Sequence, residues 1–122
     1  MQYTSDQFMP NEAWLIFRLN SYIRVKDKLA DIYMLIDLAS AHVFGHLIVT
    51  GELPVLMDMH RLMKDAYTLK KAWPELFFCA SNDPAEDLFR KYSIGKNISF
   101  KVEPLSSFKE IINPLKQAFM QF

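Results

Sequence analysis

The stretch "IYMLIDLASAHVFGHLIV", residues 32 to 49, decides the fold: it is the most apolar long run of the chain, and a single carboxylate, Asp37, sits inside it. It is too long for one strand of ordinary length, and its Ile, Val, Tyr and Phe content speaks against a helix. It divides at Ala39-Ser40-Ala41. The pattern predicts a hairpin with strands near 32 to 38 and 42 to 50, in which Asp37 and Ser40 supply turn chemistry. The run could span a bilayer by length, but Asp37, Ser40, His42 and His46 would each need an internal partner in hydrocarbon, so no membrane span is expected.

Upstream, "AWLIFRLN" (13 to 20) alternates Leu15, Phe17 and Leu19 with Ile16, Arg18 and Asn20, the pattern of a half-buried strand. "SYIRVKDKLAD" (21 to 31) is polar and charged, a loop or an extended ribbon. Downstream, Met59, Leu62, Met63, Ala66, Leu69, Ala72 and Trp73 follow at helical spacing. They predict a helix from Pro54, in its first turn, to Trp73, with Pro74 stopping it. "ELFFCAS" (75 to 81) has the length of a strand. "NDPAEDLFRKY" opens a second helix with Asp83 as N-cap, Pro84 at the first helical position and Glu86 completing a capping box, and Gly95 suits its exit. "NISFKVE" (97 to 103) alternates as a strand. In "SSFKEIINPLKQAFMQF" (106 to 122), Phe108, Ile111, Ile112, Leu115 and Phe119 share a helical face, with Ser107 and Glu110 as a second capping box. Pro114 should bend or split that helix. The resulting order is β-β-β-α-β-α-β-α, an α/β fold with a mixed five-stranded sheet and flanking helices.

A length of 122 residues with 51% apolar composition predicts one domain over 1 to 122, of which the first twelve residues are loosely ordered. Fourteen basic residues balance fourteen acidic ones, so charge does not support a nucleic-acid partner. Near-zero net charge with ten Phe and seven Met points to self-association, a dimer above all, or to a protein partner. The lone Cys79 can form neither an intramolecular disulfide nor a thiolate metal site. "MQYTSDQFMPNEAW" has no signal-peptide pattern, and a cytoplasmic location is expected.

Trp14 opening a first strand, the hairpin with its Ala-Ser turn, a helix closing in Trp73-Pro74 and "FFCASNDPAEDLF" together resemble the ribonuclease H-like fold. The similarity is to the catalytic cores of retroviral integrases and related transposases. The resemblance covers about Trp14 to Leu88 and the final strand and helix. It implies three carboxylates converging on two divalent ions about 3.5 to 4 Å apart, Mg²⁺ or Mn²⁺, in phosphodiester cleavage. The first acid stands three residues after the Trp, where this chain has Phe17. The second closes the fourth strand, where Ser81 and Asn82 stand and Asp83 comes one or two positions late; the third lies on the last helix, with Glu110 the only acidic candidate. The resemblance therefore implies a degenerate, catalytically inert member that works as a binding or interaction domain without a cofactor.

A shifted register supplies the alternative, a metal-dependent nuclease using Asp37, Asp83 and Glu110. Against it, Asp83 and Glu110 already have local roles as capping residues, worth about 0.5 to 2 kcal/mol for an N-cap, and Asp37 suits a turn. His42 and His46 fall on one face of a strand, but four residues at about 3.3 Å each separate them by roughly 13 Å, too far for one Zn²⁺ unless Gly45 marks a bulge. His60 is expected at the surface. Cys79, within an apolar strand, reads as a small core residue and not a nucleophile. No glycine-rich phosphate loop and no G-x-S-x-G context is present.

Overall fold

The computed structural model describes residues 2–20, 23–51 and 53–120, with the side chain of residue 120 left out. Its strands are β1 (Ala13–Arg18), β2 (Ile23–Val25), β3 (Lys28–Asp37), β4 (His42–Val49), β5 (Leu76–Ala80) and β6 (Ser99–Glu103). The α-helices are α1 (Leu56–Lys70), α2 (Glu86–Gly95) and α3 (Lys109–Met120), and short 3-10 turns stand at Ser5–Gln7 and Leu105–Phe108. All six strands join one mixed sheet, in which β3 pairs antiparallel with β4 and with β1, and β1 then runs parallel to β5 and β5 to β6. The sixth strand beyond the expected five is β2, which lies in the stretch expected to be a loop or ribbon. It pairs with Lys28 to Ala30, while β1 pairs with Tyr33 to Asp37, so the two take successive stretches of the same partner.

β1 is where expectation and structure part most clearly. Its residues Ala13, Trp14, Leu15, Ile16 and Phe17 are all fully buried, not half-buried. A strand parallel to one neighbour and covered on both faces reads as alternation between two cores, which looks the same as alternation between core and water. Trp14 and Ile16 join Tyr33, Leu35, Leu47, Met59, Leu62, Met63 and Phe89 under α1 and α2. Ala13, Leu15 and Phe17 join Met34, Ile36, Phe78, Phe108, Ile111 and Ile112 under α3. The segment before β1, expected to be loose, packs on that second core: the Tyr3 ring stacks on Phe108 with centroids 4.9 Å apart, and Phe8 meets Phe78 edge-on.

The hairpin forms where the opening stretch divides, with a turn over 38–41 in which Ala41 takes a left-handed conformation. Helix ends differ from the sequence pattern for local reasons. α1 starts after Pro54 and stops at Lys71, whose left-handed φ of 59° ends the helix before Trp73 turns back to pack beside Trp14, Tyr67 and Tyr92. α2 starts at Glu86, and the Glu86 half of the expected capping box is absent, since Glu86 pairs with Arg90 at 2.8 Å; Asp83 does accept the Ala85 N–H through its carboxylate, which also meets a more distant partner described below. The second expected box is absent too, because Ser107 lies in the 3-10 turn and is buried. α3 runs through Pro114 unsplit. The expectation that it reaches residue 122 concerns, at its last two positions, residues outside those described.

Candidate functional site

At the C-terminal ends of β1 and β5 lies a cleft of about 190 Å³ lined by Arg18, Asn20, Ala80, Ser81, Asn82, Asp83, Pro84 and Leu105. Strand ends of this kind are where open α/β sheets hold ligands, since adjoining loops diverge there. Arg18 is the last residue of β1 and pairs in register with Tyr33. Its Nη2 donates to the Tyr33 hydroxyl at 3.0 Å, its guanidinium lies over the Tyr33 ring 4.6 Å from the centroid, and its Nη1 is 3.8 Å from Asp31 Oδ2. The Tyr33 hydroxyl in turn donates a short hydrogen bond to Asp83 Oδ1, which also accepts the Ala85 N–H at 2.8 Å. A donor chain thus runs from guanidinium through phenol to carboxylate.

The electrostatics follow from that chain. Burial works against the charge of Arg18, but the Tyr33 hydrogen bond and the carboxylates of Asp83 and Asp31 more than offset it and hold the guanidinium pKa above its ordinary value. Burial, followed by the hydrogen bond to Asp83, pushes the Tyr33 phenol well above its ordinary range, so it stays a neutral donor. Burial likewise raises the Cys79 thiol, which lies 1% exposed inside β5. A protonated, enclosed thiol is a poor nucleophile.

The residues singled out by sequence fall in separate places. Asp37 is fully buried at the other end of the sheet, where its Oδ2 accepts the Ser40 hydroxyl at 2.8 Å and its Oδ1 the Asn11 N–H at 3.3 Å. Asp37 pairs with Trp14, and Trp14 with Phe77 at the beginning of β5, whereas Asp83 lies beyond the end of that strand. Four strand residues, roughly 13 Å, separate Asp37 from Tyr33, whose hydroxyl meets Asp83. Glu110 is exposed on α3, on the opposite face of the sheet, beside a surface hollow shared with Thr4, Ser5 and Ala41. Phe17 points into the core under α3. A bulge does occur in β4: Leu35 pairs with Gly45 and Ile36 with Val43, leaving Phe44 as the extra residue. It sets the two imidazoles on opposite faces, correcting the same-face reading. His42 lies against Phe44, which packs on Trp14, while His46 alternates with the inward Leu47. His60 is exposed, edge-on to Tyr92. Among the described residues no group of three or more His, Cys, Asp or Glu could hold a metal ion.

Three contributors escaped the sequence reading: Tyr33, which gives no signal beyond its place in an apolar strand, Arg18 and Asn11. Arg18 stands out in sequence only as the one cation in an apolar strand. Asn11 has a left-handed backbone and three bonds: its N–H to Asp37, its Oδ1 accepting Trp14 Nε1 at 2.6 Å and its Nδ2 donating to the Ala72 carbonyl at 3.3 Å.

No protein-family model matches the chain, and no curated protein matches it. Solved structures do. The HTLV-2 integrase catalytic core domain in complex with magnesium, in its trimeric form, superposes with a TM-score of 0.63 at 14% identity, over 89% of this chain and 66% of that one. Its dimeric form gives 0.58 at 15% identity, over 78% and 62%. The simian T-cell lymphotropic virus intasome in complex with the PP2A regulatory subunit B56 gamma gives 0.63 at 13% identity, over 93% and 42%. The chain therefore spans 42 to 66% of the length of these chains. No helix of the described residues is long and apolar enough to cross a membrane. With its strand order, parallel β1–β5–β6 half and flanking helices, the chain has the ribonuclease H-like fold in the form seen in retroviral integrase catalytic cores.

Proposed function

We propose that this chain is a non-catalytic interaction domain of ribonuclease H-like fold, whose partners are proteins, a second copy included. The observation that carries this reading is Phe17: the first acid's position holds a ring buried in the core under α3, while the neighbouring Arg18 and the late Asp83 are tied to Tyr33 by hydrogen bonds at the ends of β1 and β5. The residues there do not fit such a centre. Phe17, at the first acid's position, faces an apolar core, a guanidinium held in its charged form faces Asp83, and Asp83 Oδ1 already accepts two donors. Cation beside cation is repulsive by several kcal/mol at contact distances in a partly buried site. Asp37 and Glu110, which the nuclease alternative needs beside Asp83, lie at the far end of the sheet and on its other face.

The test is a cleavage assay with single- and double-stranded DNA and RNA in Mg²⁺ or Mn²⁺, alongside calorimetric titration with Mn²⁺. The expected result is no cleavage above buffer and no heat of binding. Metal-dependent cleavage that disappears in Asp37→Asn or Asp83→Asn would overturn the reading in favour of the nuclease.

A further inference from the structure

We infer that the open edge of β4 pairs with the same edge of a second copy of this chain, continuing the sheet across a two-fold axis near Leu47. The inference rests on the interaction-domain reading and gives it a surface and a partner. Among the described residues β4 pairs with β3 alone, so one side of its backbone offers unmatched N–H and C=O groups. Proteins that stay monomeric blunt such edges with Lys, Pro, inward charges or a covering element. From Leu38 to Gly51 this chain has no Lys, Arg, Asp, Glu or Pro. The bulge at Phe44, with the Lys70 ammonium 5.8 Å from that ring's centroid, guards the start of the strand, and it leaves Gly45 to Val49 in regular register with Leu35 to Asp31.

The chemistry of that segment favours its own copy. A strand crossing a two-fold axis meets itself in antiparallel sense, so any charge on it would face its like. Centred on Leu47, the pairing sets His46 opposite the partner's Ile48 and Gly45 opposite the partner's Val49, with no charged group in the ladder. His46 is exposed and Ile48 is 49% exposed, so both side chains are free to meet a neighbour. A five-residue ladder alone falls short of the roughly 800 Å² per partner of a stable interface. The segment following β4 adds apolar area: Leu53, Val55, Leu56 and Met57 are 56, 64, 57 and 80% exposed.

The experiment is light scattering coupled to size exclusion on the chain, on the double variants H46K/I48K and H46E/I48E, and on Ile94→Lys. Ile94 lies on α2, away from β4, and is 66% exposed. The expected result is a dimer for the parent and for Ile94→Lys, monomers for each double variant, and recovery of the dimer when the two double variants are mixed. A monomeric parent, dimers of either double variant alone, or a dimer lost equally in Ile94→Lys would overturn the inference. Hydrogen exchange on the parent guards against misfolded variants: amides between Gly45 and Val49 should exchange more slowly as concentration rises, and concentration-independent exchange there also overturns it. The cleavage assay reads separately. A monomer that does not cleave nucleic acid removes the edge pairing and leaves the non-catalytic reading, while a dimer that cleaves does the reverse.

Discussion

The Asp37 carboxylate accepts from the Ser40 hydroxyl and the Asn11 N–H in a fully buried setting, so its removal strands two donors at once. Asp37→Ala should cost about 1–3 kcal/mol, and Asp37→Asn less, because an amide oxygen still accepts; urea unfolding of both variants measures the difference. Tyr33→Phe breaks the link between Arg18 and Asp83 and should cost a similar amount. The same residue sets a pH dependence. Its folded pKa is raised above the ordinary value of 10.0, so the fold holds a proton that the unfolded chain releases, and the stability this represents is present below pH 10 and lost above it. Cys79 acts the same way from its ordinary value of 9.0 upward. Melting temperature should therefore fall from about pH 9 onward, and less steeply above pH 10 in Tyr33→Phe. An equal alkaline slope in parent and variant would show that Tyr33 does not carry the effect. The turn role of Asp37 was legible in its Ser40 spacing, but Asn11 was not, since it reaches Asp37 from a segment 26 residues away.

At the level of elements, the bulge in β4 and the close approach of α1 are one feature. A Cβ on Gly45 would stand 2.7 Å from Leu62 Cδ1, so a side chain there would force the buried Leu62 to shift. Gly45→Ala should destabilise by about 1–3 kcal/mol through overpacking. Combined with Leu62→Ala it should cost clearly less than the sum of the two single changes, as a double-mutant cycle would read. Strict additivity would mean that the two residues do not meet. In α3, Pro114 leaves the Glu110 carbonyl without its usual i+4 partner while the ring is exposed. Pro114→Ala should thus raise the melting temperature. Strands and helices of this chain were legible because their apolar residues repeat at periods near 2 and 3.6. Their ends were not: Lys71, Asp83 and Ser107 stop or delay helices through backbone geometry and distant partners that spacing does not encode.

Among the described residues the sheet separates two cores that share no side chain, and periodicity alone could not tell a strand between two cores from one between core and water. The architecture was still legible from element order, because three strands in succession followed by alternating helices and strands admit few arrangements. The cleft was not legible, since Arg18, Tyr33 and Asp83 converge from three separate strands and loops. The second core has a further consequence, for synthesis. It is closed by α3 and by Tyr3 and Phe8, with Gln2 Nε2 donating to the Ser106 carbonyl at 2.8 Å and Tyr3 N–H to the Ser107 carbonyl at 2.8 Å, contacts more than a hundred residues apart in sequence. A growing chain can complete its first core, which includes Ile98, once β6 has emerged, but Leu15, Phe17 and Met34 wait uncovered until α3 follows. A chain ended at Pro104 should accordingly bind a hydrophobic dye and aggregate at concentrations where the chain carried through α3 does neither.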